Sequence, residues 1–135
     1  MIRQLTIATR GQGLYEITRE ISACVHEASW QEGLCTVFVK HTSASLLIQE
    51  NADPSVRRDL AAWLARLVPE GDPLYTHTSE GPDDMPSHIK SALTATSLAI
   101  PVVDGHLTLG TWQGIFLWEH RNGHHGRHLV IHLAP

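Results

Sequence analysis

His77 and His88 bracket the run Glu80-Gly81-Pro82-Asp83-Asp84-Met85-Pro86, so two imidazoles and three carboxylates fall within one short segment. Imidazoles and carboxylates are the usual protein ligands for divalent metals, and the same groups serve as general acids and bases near neutral pH. The spacing is not that of a zinc signature such as HExxH. Pro82 and Pro86 stiffen the backbone and hold charged groups in fixed positions, as catalysis requires and a solvated loop does not.

Other segments carry reactive groups at places where a strand would end. His41-Thr42-Ser43-Ala44-Ser45 sets an imidazole beside three hydroxyls, which suits an anion such as phosphate. The same residues can instead form a polar turn in which Thr42 and Ser43 satisfy backbone groups. Glu119-His120-Arg121 offers a base, an imidazole and a bidentate anion binder. Strand alternation sends Glu119 and Arg121 to one face and His120 to the other, so one of the two faces must be structural. His124, His125, His128 and His132 resemble a metal cluster at first sight, but a glycine-flanked hairpin with solvated histidines accounts for them as well. His26 and His106 have no sequence partners, and no role is assigned to them. Trp112 and Trp118 are expected as core or interface anchors.

The elements that must hold these groups can be traced from periodicity. Ile2 to Thr9 reads as an edge strand closed by Gly11-Gln12-Gly13, and Glu16 to Ser29 as an amphipathic helix, with Thr18 and Glu20 at its opening and Ile17, Ile21, Cys24, Val25 and Ala28 on one face. Leu34–Val39 and Ser45–Ile48 read as strands. Asp53 is placed to cap, and Pro54 to begin, a helix through Val56, Leu60, Leu64 and Leu67 that ends at Pro69 and Gly71. From Gly71 to Ser87 no hydrophobic period is visible; so long a loop in so small a domain is expected to be functional. A short helix carrying Ile89 and Leu93 follows. Leu98–Val103 and Gly105–Leu109 are joined by Asp104-Gly105, a hairpin dipeptide. Gly114–Glu119 and His128–Leu133 read as a further pair. Strands in adjacent pairs imply mostly antiparallel sheets with two main helices on one face, an α+β class.

Composition bounds the function. A chain of 135 residues that is 42% hydrophobic forms one domain with a core of its own. The net charge of −4 provides no basic field for a phosphate backbone, so nucleic acid is not an expected partner. Cys24 and Cys35 lie in apolar runs and read as reduced and buried. The first residues lack the apolar stretch of a signal peptide or membrane span, so no membrane association is expected and the expected location is the cytoplasm. Neither GxxxxGK[ST] nor a strand-linked GxGxxG occurs, so a nucleotide fold is not supported.

Four ordered motifs, His41-Thr42-Ser43-Ala44-Ser45-Leu46, Glu50-Asn51-Ala52-Asp53-Pro54, Glu80 through Lys90, and Leu109 through Ile115 with Glu119-His120-Arg121, together resemble the YjbQ-like family, also described as secondary thiamine-phosphate synthase enzymes. The resemblance implies a β-sandwich-like α+β fold, a homotrimer about a threefold axis, and a polar cleft that takes a metal or an anion. It implies a site containing His41, Ser43, Asn51, His77, Asp84, His88 and Glu119. The implied activity is a weak transfer joining a pyrimidine diphosphate to a thiazole phosphate with release of pyrophosphate. In that reading a divalent metal (zinc, magnesium or manganese) sits on His41, His77 and His88. Asp84, Glu119 and His88 act on the reacting groups, and Thr42, Ser43, Asn51 and Arg121 hold a small phosphorylated metabolite. Histidine ligands suit zinc, nickel or manganese better than magnesium, which leaves open metal-assisted hydrolysis or transfer on another phosphorylated metabolite, or a non-catalytic trimer that binds a metal or metabolite.

Overall fold

The computed structural model describes residues 1–135. Its elements in order are β1 (Ile2–Arg10), β2 (Gly13–Glu16), α1 (Thr18–Ala28), β3 (Glu32–Val39), β4 (Ala44–Glu50), α2 (Pro54–Leu67), α3 (Asp84–Leu93), β5 (Ser97–Val103), β6 (His106–Leu107), β7 (Gln113–Glu119) and β8 (His124–Ala134). The strands form two sheets, a larger one ordered β1-β8-β3-β5-β6 and a smaller one ordered β2-β7-β4. Every strand pairing is antiparallel. The result is the expected α+β sandwich.

Side-chain alternation builds the core between the sheets. Val37 and Val39 of β3, Leu129, Ile131 and Leu133 of β8, and Ile100 and Val102 of β5 face inward from the large sheet. Ala44 and Leu46 of β4 meet them together with Ile115 and Leu117 of β7. α1 closes this core with Ile21, Cys24 and Val25, the face its three-and-four spacing marks out. The opposite face of β7 packs on α2 through Trp118, Leu64 and Val68, with Ile89 of α3 alongside. The helices are thus divided: α2 and α3 share the outer face of the small sheet, while α1 lies against the inner side. Both faces of β7 are covered, so its residues from Gly114 to Glu119 are all buried and read as a continuous run rather than an alternating one.

Local chemistry explains most element ends. Asp53 accepts a hydrogen bond from the Ser55 backbone N–H at 2.9 Å and caps α2, with Pro54 in its first turn. Asp104 and Gly105 both take positive φ (52° and 76°), the pair of conformations a two-residue type I′ hairpin needs.

Four details differ from the sequence expectation. The two main helices do not share one face: α1 packs into the core between the sheets and α2 on the outer face of the small sheet, because β7 is apolar on both sides. Thr18 does not cap α1; its hydroxyl donates to Glu16 and accepts from the Ile115 backbone N–H, tying the helix start to β7. α3 begins at Asp84, earlier than the hydrophobic pattern suggests, because a proline in the first turn (Pro86) costs no hydrogen bond there. β7 and β8 do not pair. β7 is the central strand of the small sheet, β8 lies between β1 and β3 in the large one, and the intervening residues cross from one sheet to the other. No helix is long and apolar enough to cross a membrane.

Candidate functional site

His77, Asp84 and His88 come together at the start of α3. Their ligand atoms all lie within 4.8 Å of one another. Asp84 and His88 are one helical turn apart, so they share a face of α3, and the preceding loop brings His77 against them. His77 Nε2 lies 2.6 Å from Asp84 Oδ2, and His88 Nε2 lies 3.4 Å from the same oxygen. Asp84 itself is buried, at 1% exposure, while both histidines are partly open to solvent.

The surrounding groups orient each member of the trio. His88 Nδ1 is 3.0 Å from the Thr42 carbonyl. A carbonyl only accepts, so Nδ1 carries a proton and Nε2 is the ring nitrogen turned toward Asp84. Asp84 Oδ1 accepts from Arg121 Nη1 at 2.8 Å. Arg121 also reaches Asp83 Oδ2 through Nε (2.9 Å) and the Glu80 carbonyl through Nη2 (2.8 Å). Asp83 occupies the N-cap position of α3 without capping it; its carboxylate is taken by Arg121 and by the Asn122 backbone N–H. Burial alone would raise the Asp84 carboxyl, but the His77 hydrogen bond and the charges of Arg121 and His88 outweigh it and hold the group below the ordinary aspartate range.

A second polar group underlies this one. Glu119, fully buried, accepts from Thr9 Oγ1 at 2.6 Å and Arg127 Nε at 2.7 Å on one oxygen, and from Arg127 Nη2 and the Arg121 backbone N–H on the other. The bidentate pair joins β7 of the small sheet to β8 of the large one. Burial opposes ionisation of Glu119, but the hydrogen bonds from Arg127, Thr9 and Arg121 prevail and keep its pKa below the usual glutamate value.

Two hollows lie near the trio, one lined by His77 itself and the other reached through Thr42, the partner of His88. One, of about 490 Å³, is lined by His77 with Tyr75, Thr78 and Pro82. The other, of about 610 Å³, is lined by Lys40, His41, Thr42 and Ser43. Thr42, whose carbonyl positions His88, therefore stands at the edge of a hollow that also presents a lysine.

Not every residue expected at the site belongs to this trio. His41 is not among its ligand atoms: its Nε2 accepts from the His128 backbone N–H at 2.9 Å and its Nδ1 lies 3.4 Å from Arg127 Nη1. Burial, then the nearby Arg127 charge, lower the His41 pKa, in keeping with a neutral ring that accepts. Glu119 has both oxygens committed and touches no open surface, so it positions Arg121 rather than meeting a substrate. Arg121 spends its guanidinium on Asp83, Asp84 and the Glu80 carbonyl. Thr42 and Ser43 line the larger hollow. Asn51 lies just beyond the far end of the small sheet, where Nδ2 donates to Glu16 at 3.0 Å, whereas Ala44 and Glu119 pair at the end near the trio. His120 faces away from Glu119 as alternation requires, and its Nε2 lies 2.9 Å from the Ser45 hydroxyl beneath α3.

Arg127 and Thr9 escape a reading of the sequence alone. Arg127 carries a usable signal: it shares the inward phase of β8 with Leu129, Ile131 and Leu133, and a charge in such a row must find a buried partner.

The donor set fits a divalent metal of the borderline kind. Two imidazoles and one carboxylate make three protein ligands, the number found in catalytic zinc sites, and His88 and Asp84 each carry the outer hydrogen bond that ligands to a metal characteristically make.

Comparison with known proteins agrees with the fold. The chain is 57% identical over 130 residues to a UPF0047 protein, sll1880, of Synechocystis, covering 96% of this chain and 88% of that one. It is 44% identical over 120 residues to the UPF0047 protein YjbQ of Escherichia coli O157:H7, covering 88% and 86% of the two chains. The crystal structure of an uncharacterized YjbQ/UPF0047 protein from Clostridium acetobutylicum matches with a TM-score of 0.89 at 34% identity, over 98% of this chain and 99% of that one. A conserved hypothetical protein, TT1486, from Thermus thermophilus gives 0.87 at 36% identity over the same shares. With the model of the UPF0047 protein YjbQ-like family matching residues 3–135, the chain belongs to that family.

Proposed function

We propose that this protein is a metal-dependent enzyme acting on a small phosphorylated metabolite at His77, Asp84 and His88. The observation that supports this most directly is the hydrogen bond from His88 to the Thr42 carbonyl, which turns Nε2 toward the same Asp84 oxygen that His77 meets. A divalent cation held by these three would bind phosphate oxygens and stabilise the negative charge of a departing phosphate group. The chain's own residues supply the rest. Arg121 fixes the Asp84 carboxylate, and Lys40 with the Thr42 and Ser43 edge offers a cationic wall to the remaining phosphate oxygens.

The reaction to try first is the transfer implied by the family resemblance. In it a thiazole nitrogen attacks the methylene carbon of a pyrimidine diphosphate, a C–N bond forms, the C–O bond breaks and pyrophosphate leaves. The histidine-rich donor set favours a second reading as well, metal-assisted hydrolysis or transfer on another phosphorylated metabolite, because magnesium-dependent diphosphate departure usually relies on oxygen ligands. Elemental analysis of the purified protein, followed by assays of both reactions with and without chelator, tests the proposal. Expected are a bound borderline metal and a turnover lost in His88→Ala; full metal content and undiminished turnover in that variant would remove the trio from the chemistry.

Self-association is proposed on separate grounds. No helix covers the outer face of the large sheet, and Ile2, Leu34 and Phe38 are exposed there at 58%, 43% and 46%. A second and third copy covering that face would bury a patch that monomers rarely leave open. Light scattering of the wild type and of Phe38→Glu tests the trimer: a monomeric wild type at micromolar concentration would rule it out.

A further inference from the structure

His26 and His106, which have no partners in the sequence, meet in space. His26 lies in the last turn of α1 and His106 opens β6 after the hairpin turn at Asp104-Gly105. Their Nε2 and Nδ1 atoms are 3.4 Å apart, and the rings are perpendicular with centroids 5.2 Å apart. That is beyond the usual span of protein N–H···O hydrogen bonds, about 2.7–3.2 Å. It matches the edge of a tetrahedron: two nitrogens each about 2.05 Å from one zinc ion are about 3.3 Å apart.

The supporting elements are rigid. α1 is anchored by Ile21, Cys24 and Val25, which are all buried, and the hairpin is tied to the residues after α1 by the bond from Gly105 N–H to the Gln31 carbonyl at 3.1 Å. Both rings border a hollow of about 290 Å³ that also presents Ser29, Gln31 and Asp104. It has room for a hydrated ion. The carbonyl end of α1 and the Asp104 carboxylate add negative potential there, which favours a cation.

We infer that His26 and His106 form a second metal site, a two-histidine chelate for a borderline divalent cation such as zinc, nickel or copper(II), completed by water. A bound ion joins α1 to the β5–β6 hairpin. Nitrogen donors disfavour hard cations such as magnesium and calcium.

The test is a nickel titration of the full chain by calorimetry, comparing wild type with His106→Gln, an exposed change on a surface hairpin. The variant should bind one ion fewer, or bind that ion at least tenfold more weakly. In the wild type, copper(II) should broaden the imidazole NMR signals of His26 and His106 together. An unchanged stoichiometry and affinity in His106→Gln, or broadening of one ring without the other, overturns the inference. His77→Ala serves as the contrast: losing nickel there while His106→Gln remains wild-type would support the first centre and reject this one.

Discussion

Arg121 Nη1 meets Asp84 Oδ1 at 2.8 Å, and this leaves Oδ2 as the oxygen that faces both His77 and His88. The guanidinium thus decides which lone pairs Asp84 offers. Arg121→Lys keeps the charge but cannot reach Asp83, Asp84 and the Glu80 carbonyl at once. We expect about 10- to 100-fold weaker metal affinity, the range typical of lost outer-shell partners, together with a lower melting temperature, because one buried carboxylate is left without its partner. Calorimetric titration with zinc checks it, and equal affinity would mean that Asp84 is held without Arg121.

His88→Ala and His77→Ala should each remove metal-dependent turnover while leaving the fold intact, because both rings are partly exposed and neither belongs to the core. Circular dichroism beside elemental analysis separates loss of metal from loss of structure.

Glu119→Ala should be far more damaging than either. It strands the Arg127 guanidinium, 5% exposed, without its carboxylate, a change that typically costs about 3–5 kcal/mol. Denaturant unfolding measures this directly. A loss below about 1 kcal/mol would mean that water or another group replaces the carboxylate.

Acid should destabilise the protein in two steps. Burial pushes the His120 pKa down to about 3, so the folded protein resists a proton that the unfolded chain accepts near pH 6.5. The unfolded state then binds more protons, and stability falls as pH drops from about 6.5 toward 3, by up to about 1.4 kcal/mol per pH unit. Glu119, whose folded pKa is depressed, contributes stability above about pH 4.5 that is lost progressively below it. Melting curves between pH 7 and 4 should show a slope that His120→Gln flattens; parallel curves for the two proteins would contradict the His120 assignment.

Asp53→Ala removes the α2 cap and should cost about 1 kcal/mol, with no effect on metal binding at the opposite end of the sheet. Thermal melts beside a zinc titration check both halves of that statement.

What the sequence discloses, and what it conceals, follows from range. Asp53-Pro54 and Asp104-Gly105 act on their immediate neighbours, so the α2 start and the β5–β6 turn are legible residue by residue. The His77 to His88 segment is legible because its groups are clustered along the chain and the turn from Asp84 to His88 is a helical repeat. Pairing of β7 with β2 and β4, rather than with β8, is not legible: apolar strands carry no label for their partners, and β2 is too short to show a period. Arg127 is hidden for a related reason. Its partner Glu119 lies on the other sheet, and only the sandwich brings them together. His41 is misleading because strand-end histidines look alike until the backbone N–H of His128 is seen to occupy one.

The passage of the chain from β7 to β8 gives the site a mechanical character. Glu119, the last residue of β7, is bolted to β8, and Arg121, two residues on in the strap between the sheets, is bolted to Asp83 and Asp84 at the start of α3. A change in the angle between the sheets would pull on Arg121 and so retune the Asp84 carboxylate without any group at the centre being touched. On the proposed reading of the trio as a metal centre, substitutions in the sandwich interior should therefore alter metal affinity as well as stability.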